Sequence, residues 1–419
     1  MGIKQYLIDL KLNISFIIKC LKISIILGTI CGIVGSVFHL SIDYVTQLRM
    51  DHPWLVLLLP IGGICIIFLY HSSDSLDHQP GTNTIIQSVR QQESVPVLLA
   101  PAIFLATVIT HLVGGSSGRE GAALQIGGSI ATGMGRLFQV DKKEMSILIM
   151  CGMSAVFSAL FGTPLTATLF SMEVVSVGVF YYAAFIPCLC SSLLSLAISH
   201  FFGCQAVSYP ITQVLTLDFI MFIKLLFFSV FIALCSVLFV LMMHYGHYFF
   251  QKYFKNEYSR VIVGSIILLV LTFVFGKNYL GAGSQIIHQA IYGKVESYDF
   301  LMKVIFTAVT IGCGFKGGEI VPTFFIGATF GFTISYIFGI DPHIGACLGL
   351  AGLFCCVVNC PVTSLFLGIE LFGINNLMPM AIIIVFGYVL SGYFSLYHAQ
   401  KIVYSKTSPE FINKNANYQ

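Results

Sequence analysis

Long stretches without charged residues dominate the pattern of hydrophobic and polar positions along this chain. A helix needs about 20 mostly apolar residues to cross a lipid bilayer. Nine stretches of at least 18 residues contain no Asp, Glu, Lys or Arg: 23–42, 52–73, 94–118, 145–172, 174–217, 225–251, 320–340, 342–369 and 371–400. The pattern therefore predicts an all-α polytopic membrane protein.

Composition supports the same class and excludes others. Of the 419 residues, 57% are hydrophobic and 9% are charged, whereas an average soluble domain carries about 25% charged residues. A soluble enzyme, a disordered protein and a nucleic-acid binder are therefore excluded. The 13 cysteines lie mostly in apolar stretches, and His244 and His247 lack a third ligand nearby in sequence, so we expect neither a metal site nor a cofactor.

The charges near the N-terminus predict the orientation of the chain. Lysines precede the first apolar stretch, at Lys4, Lys11, Lys19 and Lys22, and such lysines favour the cytoplasmic side of a membrane. We expect a cytoplasmic N-terminal segment at 1–22, repeats at 23–210 and 211–402, and a short polar tail at 403–419. The expected location is the plasma membrane, as a multi-pass protein of a prokaryotic inner membrane.

Two halves of the chain share landmarks in the same order. A G-x-E string ends at Glu120 and again at Glu319. Six or seven residues after each glutamate comes Ile-Gly, a small residue and then Ser or Thr. Further downstream, Pro164 and Pro361 each precede a glutamate by nine residues. The landmarks are offset by about 200 residues. Duplication of this kind is typical of transporters that bind their substrate between the two repeats.

The glycines before the two glutamates indicate breaks in helices at membrane depth. Such irregular backbone is tolerated only where it lines a cavity or is buried in protein. The first amides of the next helix then lack partners and attract an anion. Glu120 and Glu319 can compete for these amides when ionised and release them when protonated, which would couple anion and proton movement. The alternative is that Glu120 is an ordinary capping acid paired with Arg119. For Glu173 and Glu370 we favour a structural role at helix ends.

These motifs resemble the CLC family of anion channels and proton-coupled antiporters. Gly118-Arg119-Glu120-Gly121 is similar to the family motif G-[KR]-E-G-P, with Ala122 in place of proline, and Gly317–Pro322 resembles G-G-x-F-x-P. The resemblance extends from about residue 25 to 402. It implies a homodimer with one pore in each subunit. It also implies two inverted repeats whose broken helices meet at an anion site at the membrane midplane.

The resemblance also implies roles for individual residues. Glu120 would be the gating glutamate, Tyr397 would donate its hydroxyl to the anion, and either Thr82 or Asn83 would contact the anion. Together with the adjoining helix starts, the expected anion-binding residues are Gly81, Thr82, Asn83, Gly118, Gly121, Ala122, Ile320, Val321 and Tyr397. The expected gating and proton-coupling residues are Glu120 and Glu319.

Several departures point to the fluoride-exporting branch of this family. Chloride-type members have an apolar residue where Glu319 stands, and Thr110-His111-Leu112 also resembles the fluoride branch. On these residues we expect fluoride/proton antiport that exports fluoride. Two further departures do not point to fluoride: Val174 replaces the second acid of the inner proton route, so proton coupling must use another path, and Val321 stands where fluoride members often carry threonine. The expected partners are fluoride (or chloride), protons and the lipid bilayer, without nucleic acid.

Two other functions are considered. A chloride channel or chloride/proton exchanger of the same family is the near alternative, and comparison of fluoride with chloride efflux would distinguish it. A rhomboid-like intramembrane serine protease is the distant alternative, because Gly115-Ser116-Ser117-Gly118 matches a G-x-S-G string. Proteolysis would leave the duplicated glutamates unexplained, so we expect a transport protein and not an enzyme.

Overall fold

The protein is described by a computed structural model that covers residues 3–73, 76 and 81–417. Within this part of the chain there are sixteen α-helices, two short 3-10 helices (Pro53–Leu58 and Tyr182–Ala184) and three strands. The α-helices are α1 (Ile3–Asp51), α2 (Leu59–Tyr70), α3 (Thr82–Gln91), α4 (Leu99–Val113), α5 (Glu120–Leu137), α6 (Lys142–Phe161), α7 (Pro164–Glu173), α8 (Phe185–Phe201), α9 (Phe219–Tyr253), α10 (Glu257–Phe275), α11 (Ser284–Tyr292), α12 (Asp299–Gly312), α13 (Ile320–Phe338), α14 (Pro342–Val358), α15 (Pro361–Phe372) and α16 (Leu377–Leu390). The strands are β1 (Ser176–Val177), β2 (Lys401–Tyr404) and β3 (Phe411–Asn415).

The charge-free stretches do not each form one helix. The stretch 145–172, for example, contains most of α6 and α7, which are separated by Gly162 and Thr163. Gly162 has a φ of 72°, which ends α6, and Pro164 starts α7 at a position where its missing N–H costs nothing. Among the described helices, seven are long and apolar enough to span a membrane, while α4, α14, α15 and α16 are apolar but shorter. The expected membrane architecture is therefore confirmed, with several broken helices.

The two halves repeat the same helix contacts. Helix α5 packs on α6 where Gly127 faces Gly152, and a Cβ added to Gly127 would lie only 2.1 Å from the carbonyl oxygen of Gly152. Helix α13 packs on α14 in the same way, because a Cβ on Gly327 would lie 2.6 Å from the oxygen of Gly349. Small residues let the backbones of membrane helices approach closely. Each half therefore holds its central helix rigidly against a neighbour.

The segment boundaries expected from the sequence, at positions 22, 210 and 402, do not all lie between observed helices and strands. Helix α1 continues without a break across position 22. Position 210 lies in an extended segment, 204–218, which contacts both halves: Val207 donates to the oxygen of Phe161 at 2.9 Å, and Tyr209 donates to that of Leu371 at 2.7 Å. The boundary at 402 falls inside β2. The division into segments stays a prediction, although helix order supports two halves.

A small sheet joins the tail to the helical body, and the sequence patterns did not predict it. Strand β2 pairs parallel to β1, with Ser176 opposite Lys401, and antiparallel to β3, with Lys401 opposite Asn415. The tail is therefore an ordered hairpin. Its side chains reach under the helices, since Lys406 Nζ donates to Asn359 Oδ1 at 2.5 Å and to the oxygen of Tyr388 at 2.8 Å.

The structural role of Glu173 and Glu370 is confirmed, with an exchange between the halves. Glu173, at the end of α7, accepts hydrogen bonds from the first amides of α15, including Thr363 at 2.8 Å. Glu370, near the end of α15, accepts from the first amides of α7, including Thr166 at 2.9 Å. Each acid therefore caps the helix of the other half.

Candidate anion site

The two glycine-rich breaks meet at the centre of the molecule. Gly118 and Gly318 form an antiparallel bridge, in which each amide donates to the other carbonyl at 2.7 and 2.8 Å. The chain then enters α5 and α13, so the starts of these helices lie side by side. The antiparallel pairing brings the two halves together head to head. Each helix start contributes amides that have no partner within its own helix.

Glu120 lies across this crossing. Its side chain is fully buried, and Oε2 accepts a hydrogen bond of 3.1 Å from the amide of Val321 in the other half. Because Pro322 has no amide proton, only Ile320 and Val321 offer free amides at the start of α13. The carboxylate therefore takes one of two donors that could bind an anion. Its other oxygen, Oε1, has no hydrogen-bond partner among the described residues. Glu120 is therefore more than a cap of its own helix.

The glycines at the crossing are packed too closely for side chains. A Cβ added to Gly318 would lie 2.5 Å from the nitrogen of Gly121 and 3.0 Å from that of Glu120. One added to Gly121 would lie 3.0 Å from Thr82 Oγ1. The amide of Gly118 already donates to Gly318, so our expectation that Gly118 binds the anion needs correction: it holds the crossing. Ala122 and Ile320 are fully buried within the first turns of their helices.

A third helix start faces the same crossing. Gly81 precedes α3, and Thr82 and Asn83 are its first residues. Thr82 Oγ1 lies 3.5 Å from the carbonyl oxygen of Gly121. Asn83 Oδ1 accepts a hydrogen bond of 3.0 Å from Ala399, which leaves the Nδ2 group of Asn83 to donate to an ion. The structure thus brings this turn, predicted from sequence, to the two glutamates.

Tyr397 reaches the site from a turn after α16. Its side chain is 1% exposed, and its hydroxyl has no hydrogen-bond partner in the described part of the chain. Gln400 holds this turn in place, since its Nε2 donates to the oxygens of Val174 and Val358 at 3.0 and 2.7 Å. Ser395 Oγ in turn donates to Gln400 Oε1 at 2.9 Å. The buried hydroxyl is therefore fixed in position and free to donate.

Two cavities approach the crossing. We call one the arginine cavity; it has a volume of about 640 Å³, and the residues of its wall that concern the site are Arg49, Arg119, Lys277 and Val321. We call the other the histidine cavity; it has a volume of about 720 Å³, and it is lined by His244, His247 and His398 together with Thr82, Asn83, Glu319 and Tyr397. Glu120 lines neither, and its neighbours Arg119 and Val321 face the first. The buried carboxylate therefore stands between the two cavities.

Both cavities contain cationic side chains, which outnumber the acids in the arginine cavity and are matched by acids in the histidine cavity. Arg119 Nη1 contacts Asp43 Oδ1 at 3.0 Å, whereas Arg49 donates to the carbonyl oxygen of His111 at 2.5 Å. Arg260 and Lys316 line the histidine cavity, together with Glu257 and Glu319. Cationic groups in clefts attract anions and so raise the local anion concentration. The arrangement suits a path for a small anion.

Glu319 lies on the side of the crossing that faces the histidine cavity. It immediately precedes α13 and lines the histidine cavity, and its Oε2 atom is buried without a hydrogen-bond partner within the described ranges. Glu120 and Glu319 therefore flank the same helix start, one buried across the Val321 amide and the other facing a cavity. The predicted pair of acids is brought together as expected.

Three residues near the site were missed from sequence. Gln125 is buried one turn after Gly121 and lines the histidine cavity. Gln400 supports the Tyr397 turn. Lys303 is fully buried in α12 and donates to the oxygen of Gly281 at 2.6 Å. A search for polar side chains within apolar helices, rather than for acids after glycines, would have found Gln125 and Lys303, whereas Gln400 lies in a turn after α16.

Within the part of the chain that the structure describes, the serine string forms no nucleophile–base pair. Ser116 Oγ contacts Thr307 Oγ1 at 3.1 Å, and His111 Nδ1 contacts the carbonyl oxygen of Thr107 at 2.9 Å. Ser117 Oγ is buried and has no hydrogen-bond partner among the described side chains. A serine protease requires a histidine within hydrogen-bond reach of the nucleophile. The geometry therefore gives no support to the protease alternative.

Comparisons with known proteins agree with this geometry. The model of the voltage gated chloride channel family matches residues 75–392. A protein of Pseudomonas syringae pv. tomato named "Chloride/fluoride channel protein" is 30% identical over 404 residues, which cover 94% of this chain and 88% of that protein.

Solved structures show the same fold. The crystal structure of a CLC-type fluoride/proton antiporter is similar with a TM-score of 0.88 and 31% identity, over 92% of this chain and 98% of the other. A slow cyanobacterial Cl⁻/H⁺ antiporter is similar with a TM-score of 0.75 and 18% identity, over 89% and 94% of the two chains. The resemblance inferred from the sequence motifs is thus confirmed, and the chain belongs to the voltage gated chloride channel, or CLC, family of multi-pass membrane proteins, which transport anions and are not enzymes.

Proposed function

We propose that this protein exchanges fluoride for protons and exports fluoride from the cell. The observation that carries the proposal is the position of Glu120, whose carboxylate occupies the amide of Val321 at 3.1 Å between the two cavities. An anion that crosses the molecule has to displace this carboxylate. Protonation lowers the charge of the carboxylate and weakens its hold on the amide, since hydrogen bonds to charged groups are worth roughly 1.5–3 kcal/mol.

Glu319 is proposed as the second carboxylate of the exchange. It lines the histidine cavity together with Tyr397. This cavity and the arginine cavity lie on different sides of Glu120, the proposed gate. If Glu319 were ionised, an anion about 5 Å away would be repelled by about 3 kcal/mol at an effective dielectric constant of about 20. Binding of the anion therefore favours protonated Glu319. The proton taken up there can be released when the anion leaves.

Fluoride is the proposed anion because the site offers close hydrogen-bond donors. Fluoride is small and strongly hydrated, so leaving water requires several donors at short range. The hydroxyls of Tyr397 and Thr82, the Nδ2 group of Asn83 and the amide of Val321 are the proposed donors. The similar antiporter structure, whose printed description names fluoride and protons, supports this assignment.

Chloride is the second candidate. Val321 lines the arginine cavity with an apolar side chain and so supplies no hydroxyl there, although its amide remains. The relative from Pseudomonas syringae is named for both chloride and fluoride. A chloride channel or chloride/proton exchanger of the same family would use the same crossing and the same gate.

The orientation follows from the charges at the N-terminus. With the N-terminal lysines in the cytoplasm, the far end of α1 and the arginine cavity, which is lined by Arg49 and Met50, face the outside. The histidine cavity then faces the cytoplasm. The homodimer implied by the family resemblance stays a prediction.

Proteoliposomes loaded with fluoride or with chloride test the proposal. We expect the wild-type protein to release fluoride at least ten times faster than chloride and to move fluoride uphill when only a proton gradient is imposed. In Glu120→Gln and in Glu319→Gln, we expect proton-driven fluoride movement to fall below about one tenth of the wild-type rate, because a neutral amide cannot carry the proton.

The matched control is Glu410→Gln, since Glu410 is exposed in the tail. This variant should retain wild-type fluoride and proton fluxes. Faster chloride than fluoride release would favour the second candidate. Proton-driven fluoride uptake that persists in Glu120→Gln would rule out Glu120 as the gate.

A further inference from the structure

Gln125 is a buried polar residue beside the proposed ion path. It lies in α5 one turn after Gly121, and only 3% of its surface is exposed. It lines the histidine cavity together with Thr82, Glu319 and Tyr397. A buried amide inside an otherwise apolar helix has to satisfy both its donor and its acceptor.

The hydrogen bonds of Gln125 fix which way its amide points. Nε2 lies 3.0 Å from the carbonyl oxygen of Gly121 and 3.4 Å from Thr82 Oγ1. A carbonyl oxygen can only accept, so the NH₂ group has to face it and Oε1 has to face away. Oε1 is buried and has no hydrogen-bond partner within the described part of the chain. A buried acceptor without a donor costs roughly 1–3 kcal/mol.

This arrangement directs the hydroxyl proton of Thr82. Thr82 Oγ1 accepts from Gln125, so its single proton has to point elsewhere. Its hydroxyl donates to the oxygen of Gly121 over 3.5 Å, at the outer limit of a hydrogen bond, so this bond is weak and an anion can replace it. The proton of Thr82 is therefore available for an anion in the cavity.

The acceptor Oε1 favours a different partner. Fluoride can only accept hydrogen bonds, so Oε1 repels it. Other groups of the cavity wall with buried atoms that lack a partner among the described residues include the Tyr397 hydroxyl, Glu319 Oε2 and Arg260 Nε. The Tyr397 hydroxyl is proposed as a donor to fluoride, and Arg260 already contacts Glu257 through Nη2 at 3.6 Å. An ionised carboxylate cannot donate, whereas a protonated one has one O–H to give. Oε1 is thus suited to the protonated acid.

We propose that Gln125 is a positioning residue that stabilises the state in which fluoride and a proton are bound together. Its NH₂ group turns the hydroxyl of Thr82 toward fluoride, and its Oε1 accepts a hydrogen bond from protonated Glu319. One side chain thereby links the two ions. This inference rests on the proposed fluoride/proton exchange.

Gln125→Met tests both contacts, because methionine has a similar length and cannot form either hydrogen bond. We expect the apparent affinity for fluoride from the histidine-cavity side to fall about tenfold. We also expect the pH of half-maximal proton-driven fluoride flux to shift to lower values, because protonated Glu319 loses an acceptor and binds its proton less tightly. Thr82→Val should lower fluoride affinity similarly while leaving the pH profile close to that of the wild type.

The double variant Gln125→Met with Thr82→Val should lose no more fluoride affinity than the single variant with the larger loss. Both substitutions act on the same donor, the hydroxyl of Thr82. The other titratable or charged groups around the site are His244, His247 and Tyr248 of α9, Glu257 and Arg260 of α10, and Lys316, His398, Tyr397 and Glu120. They are unchanged in every variant, so a difference in pH profile reports on Gln125.

The matched control is Gln87→Met, because Gln87 is exposed on α3, the helix that carries Thr82. It should behave like the wild type. Unchanged fluoride affinity and pH profile in Gln125→Met would overturn the inference, and so would additive losses in the double variant. If Gln125→Met does not fold, Gln125→Glu is the variant to test. It replaces the NH₂ group that donates to Thr82 by an oxygen atom, so unchanged fluoride affinity in this variant would overturn the proposal. Absence of proton-driven fluoride flux in the wild type would instead overturn the proposed function.

Discussion

Gly318 at the crossing is required by space and not by an unusual φ angle. A Cβ on Gly318 would meet the backbone nitrogens of Gly121 and Glu120 at 2.5 and 3.0 Å. Backbone atoms of two packed helix starts cannot move aside as the end of a flexible side chain can. The bridge between Gly118 and Gly318, and with it the seat of Glu120, depends on this close approach.

Gly318→Ala should therefore lower fluoride flux at least tenfold and reduce thermal stability in detergent. The control is Gly133→Ala in α5, where the added Cβ would lie 3.4 Å from Val97 in ordinary contact. Alanine is favoured over glycine in a helix by up to about 1 kcal/mol, so the control should keep its flux and be equally or more stable. Flux assays with melting curves check both. Equal behaviour of the two variants would contradict the spatial argument.

At the scale of elements, α7 and α15 are held together by exchanged acids. Glu173 Oε1 and Oε2 accept from the amides of Val362 and Thr363 at 3.1 and 2.8 Å, and Glu370 accepts from those of Leu165 and Thr166 at 3.0 and 2.9 Å. A negative charge at a helix start is favoured by the free amides and by the helix dipole. The exchange couples the two halves at a point distant in sequence.

Neutralising either acid should destabilise the protein without changing how it couples ions. Glu173→Gln should lower the free energy of unfolding by about 1–3 kcal/mol, because charge-assisted hydrogen bonds become neutral ones. Glu370→Gln should have a smaller effect, since Glu370 is less buried than Glu173. Denaturation in detergent measures the change, and the proton-to-fluoride ratio of the folded protein should stay at the wild-type value.

The tail variant Glu410→Gln again serves as control, because Glu410 is exposed and caps no helix. The exchange would be excluded as a source of stability if Glu173→Gln unfolded at the same denaturant concentration as this control. A changed ion ratio in the folded Glu173→Gln protein would instead place Glu173 on the proton route.

For the whole molecule, the decisive feature is that two cavities approach one buried carboxylate. The arginine cavity contains Lys277 and the histidine cavity contains Gln251. If the crossing at Glu120 separates the two sides of the membrane, these positions are open to opposite aqueous phases. The proposed exchange requires this separation, since a continuous open pore would let protons and fluoride move independently.

Single substitutions to cysteine test the separation. We expect a membrane-impermeant maleimide to label Lys277→Cys from outside intact cells and Gln251→Cys only in inverted vesicles. Among the described cysteines, Cys65 is exposed and most of the others are buried, so the unsubstituted protein sets the background. Labelling of both positions from the same side would contradict the proposed geometry.

The membrane class could be predicted from sequence because it depends on local pattern, and the same patterns predict the two halves and the acids of the site. Long apolar stretches are costly to expose to water, and a glycine break followed by a glutamate marks the start of a helix. The same local reading missed Gln125 and Gln400, because a neutral amide hardly changes the hydrophobic pattern. It also missed the β-sheet, because the strands are short and the hairpin of β2 and β3 pairs with β1, which lies far away in the chain.

By itself, the sequence determined that this chain lies in a membrane, and it predicted two related halves in which a helix begins at an acid. Only the tertiary structure decided that Glu120 binds the amide of Val321, 201 residues away, and that Glu173 and Glu370 each cap the start of the helix that carries the other. Burial, helix starts and charge spacing are encoded by neighbours along the chain. Which amide a carboxylate meets depends on how the halves pack, and packing is fixed by contacts such as Gly118 against Gly318, which no single segment contains.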